Sequence, residues 1–165
     1  SPADLRESLR QSTVRAIELE IDAYTAKLQA DAPAESKAAL RRTIEALETE
    51  RERFASMPAD EYPDPVAAVP DAASVLDEAT AYGPMVPAAL REAVVAVTAT
   101  YDDGSLLEVE GTSKSGPFFH IAGVRGGDPG VLKPGKRYRV SLYLVYRREY
   151  FGFIGDYYVY VTDIR

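Results

Sequence analysis

Few residues in this chain are equipped for chemistry. It has one histidine, no cysteine and no tryptophan among 165 residues. His120 lies in Phe118-Phe119-His120-Ile121, a run with strand character. A Ser-His-Asp arrangement would have to use it, and no G-x-S-x-G turn accompanies it. A lone histidine between apolar neighbours is the ordinary signature of a hydrogen-bonded, partly covered side chain. The lack of cysteine removes disulfides, thiolate nucleophiles and Cys-based zinc sites. With one imidazole, a metal site would rest on carboxylates, which suit Ca²⁺ or Mg²⁺, and no D-x-D-x-D-G loop is present.

Two acidic pairs remain. Asp102-Asp103-Gly104 is a turn signal, because glycine supplies positive φ after aspartate. Glu108 and Glu110 stand two apart on a strand, so both point to one face, about 7 Å apart. Paired carboxylates can act as acid and base in glycoside cleavage, but this spacing recurs on any solvated strand face. The glycine-rich stretch from Gly123 to Gly130 continues into Val131-Leu132-Lys133-Pro134-Gly135. A phosphate loop needs a helix start there, and this is not one. The sequence therefore reads as non-enzymatic, without metal or cofactor. An enzyme using His120 or the Glu108/Glu110 pair is the lesser alternative.

The strongest signal is aromatic. Tyr138, Tyr143, Tyr146, Tyr150, Phe151, Phe153, Tyr157, Tyr158 and Tyr160 fall within one short stretch. Strand alternation over 136–147 puts Tyr138, Val140, Leu142, Leu144 and Tyr146 on one face. Arg137, Arg139, Ser141, Tyr143, Val145 and Arg147 take the other. Over 156–164, Tyr157, Val159 and Val161 face one way and Tyr158, Tyr160 and Thr162 the other. A hairpin of these strands would show one mainly aliphatic face and one mixing arginine with tyrosine. Tyrosine offers wide contact at low entropy cost and arginine offers planar donors. The candidate binding residues are accordingly Arg137, Arg139, Tyr143, Arg147, Tyr158 and Tyr160. The same side chains also pack well in sheets for purely structural reasons.

These residues need elements to hold them. Residues 2–30 read as a helix, with Pro2 in the first turn and Asp4 and Glu7 complementing its dipole. Val14, Ile17, Ile21, Tyr24 and Leu28 make a narrow heptad seam, which Leu5 and Leu9 extend less regularly. Asp31 and Pro33 break this helix, Asp31 being placed to cap the next. The second helix runs over 33–56, with Leu40, Ile44, Leu47 and Phe54 on its seam and Arg51 at a missing position, its stem along the seam and its head in water. So short a connection makes the two helices antiparallel neighbours. One hairpin has one buried seam, so it must lie on the β-module or meet another chain.

The proline-rich stretch 57–70 reads as a linker. Residues 71–82 read as a short helix, with one further turn over 87–92. Strands follow over 93–101, 105–111, 117–124, 136–147 and 156–164, with an aromatic hairpin loop over 148–155. The organisation expected is α+β: a coiled-coil-like helical hairpin over 1–56, the linker over 57–70, a short helical segment over 71–92 and a β-domain over 93–165. Five short strands fit a small antiparallel module, either an OB-like barrel or an immunoglobulin-like sandwich. The strand count leans toward the barrel.

Charge is unevenly placed in a chain of net charge −7. Residues 1–110 hold 22 acidic and 10 basic side chains, and residues 111–165 hold 4 acidic and 9 basic. Such asymmetry marks an interaction surface or internal neutralisation. The expected partners are another protein or further copies of this chain, met through the hairpin and the tyrosine/arginine face. An OB-like binder of single-stranded nucleic acid or another polyanion is the alternative. No apolar run approaches the roughly 20 residues of a membrane-spanning helix. The start at Ser1-Pro2, without methionine, suggests trimming or processing. The compartment stays open: cytoplasm, or cell envelope if a leader has been removed.

Overall fold

The computed structural model describes residues 2–31, 33–62, 93–98, 106–109, 118–127, 129–150 and 153–164. The expected short helix over 71–82, the turn over 87–92, Asp102-Asp103-Gly104 and Glu110 lie outside these residues. Helix α1 spans Pro2–Gln29 and helix α2 spans Ala34–Ala55. Asp31 does not cap α2. Pro33 takes the N-cap position, with φ −58° and ψ 149°, and makes no side-chain cap bond. Its carbonyl accepts the Lys37 N–H at 3.0 Å, the first bond of the helix.

The hairpin closes on an apolar seam. Ile17, Tyr24 and Leu47 are buried together, with Ile21, Leu40, Ile44 and Phe54 packed around them. Arg51 stands at the gap in the apolar pattern and donates from Nε to Glu18 Oε1 of α1 at 3.2 Å. The far end of α2 is tied down by α1. Arg10 donates to the Phe54 and Ala55 carbonyls at 3.0 and 3.2 Å, satisfying acceptors that the helix leaves over at its C-terminus. The first residues of the proline-rich stretch are also anchored. Ala59–Glu61 form a 3-10 turn, and the Tyr62 side chain is buried against the barrel and α1.

Five strands follow: β1 (Ala93–Thr98), β2 (Leu106–Val109), β3 (Phe118–Val124), β4 (Arg137–Tyr150) and β5 (Phe153–Ile164). They close into a barrel in the order β1-β2-β3-β5-β4. The sheet is mixed rather than purely antiparallel. β3 and β5 run parallel, whereas the other neighbours are antiparallel. The reason is topological: β5 returns beside β4 and inserts between β4 and β3, so it meets β3 in the same sense.

The aromatic hairpin loop expected over 148–155 is mostly strand. Pairing continues through Arg148↔Asp156 to Tyr150↔Phe153, so only Phe151 and Gly152 separate the strands. β-Branched and aromatic residues favour extended pairing wherever a partner strand is in reach.

Inside the barrel lie Leu107, Phe119, Ile121, Val124, Val140, Leu142, Leu144, Tyr157, Val159 and Val161. This is the aliphatic face expected of β4 and β5, with one exception. Register shifts between Leu144 and Tyr146, and Tyr146 joins the outer cluster beside Val145 instead of the interior. A bulge adds one residue to the ladder and reverses the alternation beyond it.

Candidate interaction surface

The outer wall of the barrel divides into a covered part and an open part. The covered part lies beneath α1, which contacts β3, β4 and β5. Leu9 and Ala16 of α1 are fully buried there, against Ala122, Val145, Tyr158 and Tyr160. Leu5 and Leu9 fit the hairpin seam poorly because they belong to this second interface. The helix therefore has two buried sides, and the one facing the barrel carries polar groups. Ser12, Thr13 and Glu20 are 4%, 2% and 0% exposed.

Two of these are locked by hydrogen bonds. Thr13 Oγ1 lies 2.9 Å from the Leu9 carbonyl and 3.2 Å from the Val145 carbonyl of β4, its one proton shared between these two acceptors, and 2.9 Å from the Tyr62 hydroxyl, which can donate to it. It joins α1, the segment after α2 and the barrel at one point. Burial pushes the Tyr62 phenol above its ordinary pKa of 10.0, with the Thr13 bond opposing in part. The second lock is Tyr158, whose hydroxyl donates to Glu20 Oε1. A buried carboxylate costs several kcal/mol unless hydrogen-bonded, and this donor offsets much of that cost. His120 stacks on the same ring, centroids 4.9 Å apart and planes 23° apart. Tyr146 leans on Tyr158 at 6.0 Å and reaches Glu50 of α2 at 3.4 Å, tying the second helix to the barrel.

The six residues singled out by sequence fall on both sides of this division. Tyr158 and Tyr160 are 3% and 7% exposed, beneath α1. Tyr143 is half-buried at the margin of the same cluster. Arg137 and Arg139 are exposed at the start of β4, opposite Ala96 and Val94 of β1. Arg147 pairs with Tyr157 in the ladder, and its side chain lies outside the described residues. His120 is half-buried on its tyrosine. Glu108 takes its place opposite Ala96, without a described side chain.

The open part is basic. Arg125, Lys133, Lys136, Arg137 and Arg139 are all exposed between the end of β3 and the start of β4. Among the described residues, Val131 is the exposed large apolar side chain, at 50%. This part of the wall therefore offers, among the described residues, charge rather than apolar area. Among the described residues no group of His, Asp or Glu is arranged to hold a metal ion. No described helix is long and apolar enough to cross a membrane.

Sequence reasoning did not single out Ser12, Thr13 and Glu20, which lie off the heptad seam. The one signal available was the misfit of Leu5 and Leu9 to the heptad, which points to a second buried side. No protein-family model, curated protein or solved structure matches the chain.

Proposed function

We propose that this chain is a non-catalytic interaction protein, an OB-type barrel that carries a helical hairpin as a fixed arm and meets protein partners, including copies of itself, through charge. A closed barrel of five strands, with β3 and β5 as its parallel pair, supports the OB-type reading. The observation that carries the reading is the double burial of α1. One side closes the hairpin, and the other is bonded to the barrel through Thr13 and Glu20.

An arm fixed in this way presents its end at a set place. Glu20 is bonded to the barrel, and the helix runs on to Gln29, about 14 Å at 1.5 Å per residue. Gln29–Asp31 and Pro33–Ser36 are exposed there. The acidic balance of residues 1–110 and the basic balance of residues 111–165 favour head-to-tail contact between copies.

Sedimentation velocity over a wide concentration range tests this. The expected result is a heavier species that grows with concentration, fades with added salt and weakens in Arg137→Glu/Arg139→Glu. An OB-type barrel would also favour a second reading, binding of single-stranded nucleic acid. Base stacking contributes about 1–3 kcal/mol per base in such binders, and here Tyr158 and Tyr160 lie under α1. A strict monomer that binds labelled oligonucleotides saturably, with steep salt dependence, would replace the first reading by the second.

A further inference from the structure

Beside the bonded interface, α1 and β3 draw apart to leave a groove of about 690 Å³, within the range of small-molecule sites. One wall is a polar stripe of α1: Ser8, Gln11, Ser12 and Arg15, spaced so that they share one side of the helix. The other is the end of β3, where Ala122 and Gly123 keep the wall low. The groove ends at Gly126 and Gly127, whose φ values of 90° and 83° curl the backbone around it. A Cβ at either glycine would meet nothing within 4 Å.

Two features of this groove are not explained by packing. The first is Ser12. Its side chain lines the groove and is 4% exposed, yet its hydroxyl makes no hydrogen bond among the described residues. An unpartnered buried hydroxyl costs about as much as a lost hydrogen bond, and alanine would remove that cost. Helix and strand converge on it so closely that a Cβ at Gly123 would lie 2.3 Å from Ser12 Oγ and 2.9 Å from Tyr160 Cδ2. Glycine at this position keeps the hydroxyl open to the groove.

The second is charge. In an acidic protein, the described lining holds no carboxylate, and Arg15 is its one charged residue. Its side chain is half exposed, 3.8 Å from Glu18, which Arg51 also engages at 3.2 Å. Gln11 donates to Glu7 at 2.9 Å and retains a second N–H. Hydroxyl, amide and guanidinium donors around one positive charge suit an oxyanion. Ala122 and the Tyr160 ring, on the outer face of the barrel, suit a compact organic body.

We propose that the groove between α1 and β3 binds a small organic oxyanion, a phosphate- or carboxylate-bearing molecule, held by Ser12 and Arg15. The proposal is independent of the assembly reading above.

The test is titration of ¹⁵N-labelled protein with glycerol 3-phosphate, glycerate and glycerol, which share one body and differ in the anion. Saturable shifts confined to the amides of residues 8–15 and 121–127 are expected with at least one anion, and not with glycerol. Whichever anion binds tells phosphate from carboxylate. Arg15→Gln should weaken binding about tenfold or more, as loss of a charged donor does. Ser12→Ala should also weaken it while keeping or raising the melting temperature, the mark of a group retained for binding at a cost in stability.

Three results would overturn the proposal. One is no saturable shift with either anion up to a concentration on the order of 10 mM, the weak limit for a specific small ligand. Another is shifts centred on residues 133–139 that Arg15→Gln leaves unchanged. The last is a fall in melting temperature in Ser12→Ala, which would give the hydroxyl a structural role.

Discussion

The two sides of α1 do the same job by different physics. Toward α2, Ile17, Ile21 and Tyr24 meet Leu40, Ile44 and Leu47 in an apolar seam. Toward the barrel, Leu9 and Ala16 share the contact with Thr13 and Glu20, each matched to a particular partner. Apolar burial is non-directional and tolerates sliding or exchange of similar side chains. A buried hydroxyl or carboxylate is satisfied in one geometry only. The seam therefore gives the hairpin its stability, and the bonded interface gives it one attitude on the barrel.

This contrast can be broken at either side. The largest effect is expected on the seam. Leu47→Ala empties a fully buried site and should cost about 2–5 kcal/mol in urea unfolding. The barrel side comes next. Tyr158→Phe removes a donor to the buried Glu20 and should cost about 1–3 kcal/mol, the scale of a buried polar group losing a hydrogen-bond partner. Combining it with Glu20→Leu should recover part of that loss, because both polar partners are then gone. The same double change in a merely packed interface would add losses, so the sign of the coupling tells the two kinds apart.

Smaller effects sharpen the picture through pH. Tyr62→Phe should cost about 1 kcal/mol at neutral pH, through loss of the Thr13 bond. In the native protein the Tyr62 pKa is raised, so its contribution is complete below about pH 10 and is lost as pH rises through the higher folded value. Tyr62→Phe should therefore lessen alkaline destabilisation in pH-dependent melts. At the acid end, hydrogen bonds from Arg10 and Gln11 hold Glu7 below its ordinary 4.5. Its contribution is present above about that value and is lost as pH falls through the lower folded one. Glu7→Gln should remove a few tenths of a kcal/mol at neutral pH, as expected of a solvent-screened pair near the surface.

The sequence was most legible where one physical pattern acts alone. The hairpin seam follows from heptad spacing, and β5 follows from strict alternation, with Tyr157, Val159 and Val161 inside and Tyr158 and Tyr160 outside. It was least legible where two partners compete for one element. Thr13 and Glu20 look like a solvated face because their partners, Tyr62, Val145 and Tyr158, are distant in sequence. For the same reason Tyr158 and Tyr160 looked available for a ligand. Alternation places them on the outer wall, and only the tertiary fold places α1 over them. The parallel pairing of β3 with β5 and the turn of Tyr146 to the outside depend on strand insertion and a bulge, which no local periodicity encodes.

The attitude of α1 across the outer wall is the claim on which the rest depends, and a cysteine pair tests it directly. The chain has no cysteine of its own. A Cβ at Gly123 would lie 3.4 Å from Ser12 Cβ, close to the about 3.5–4.5 Å of a disulfide. Ser12→Cys/Gly123→Cys should close within one molecule under mild oxidation, giving a monomer whose melting temperature falls when the bond is reduced. Thiols that stay free both in this variant and in Ser12→Cys/Gly123→Cys/Tyr160→Ala, which lacks the ring that a Cβ at Gly123 would crowd, or that join only between molecules, would contradict a helix fixed over β3.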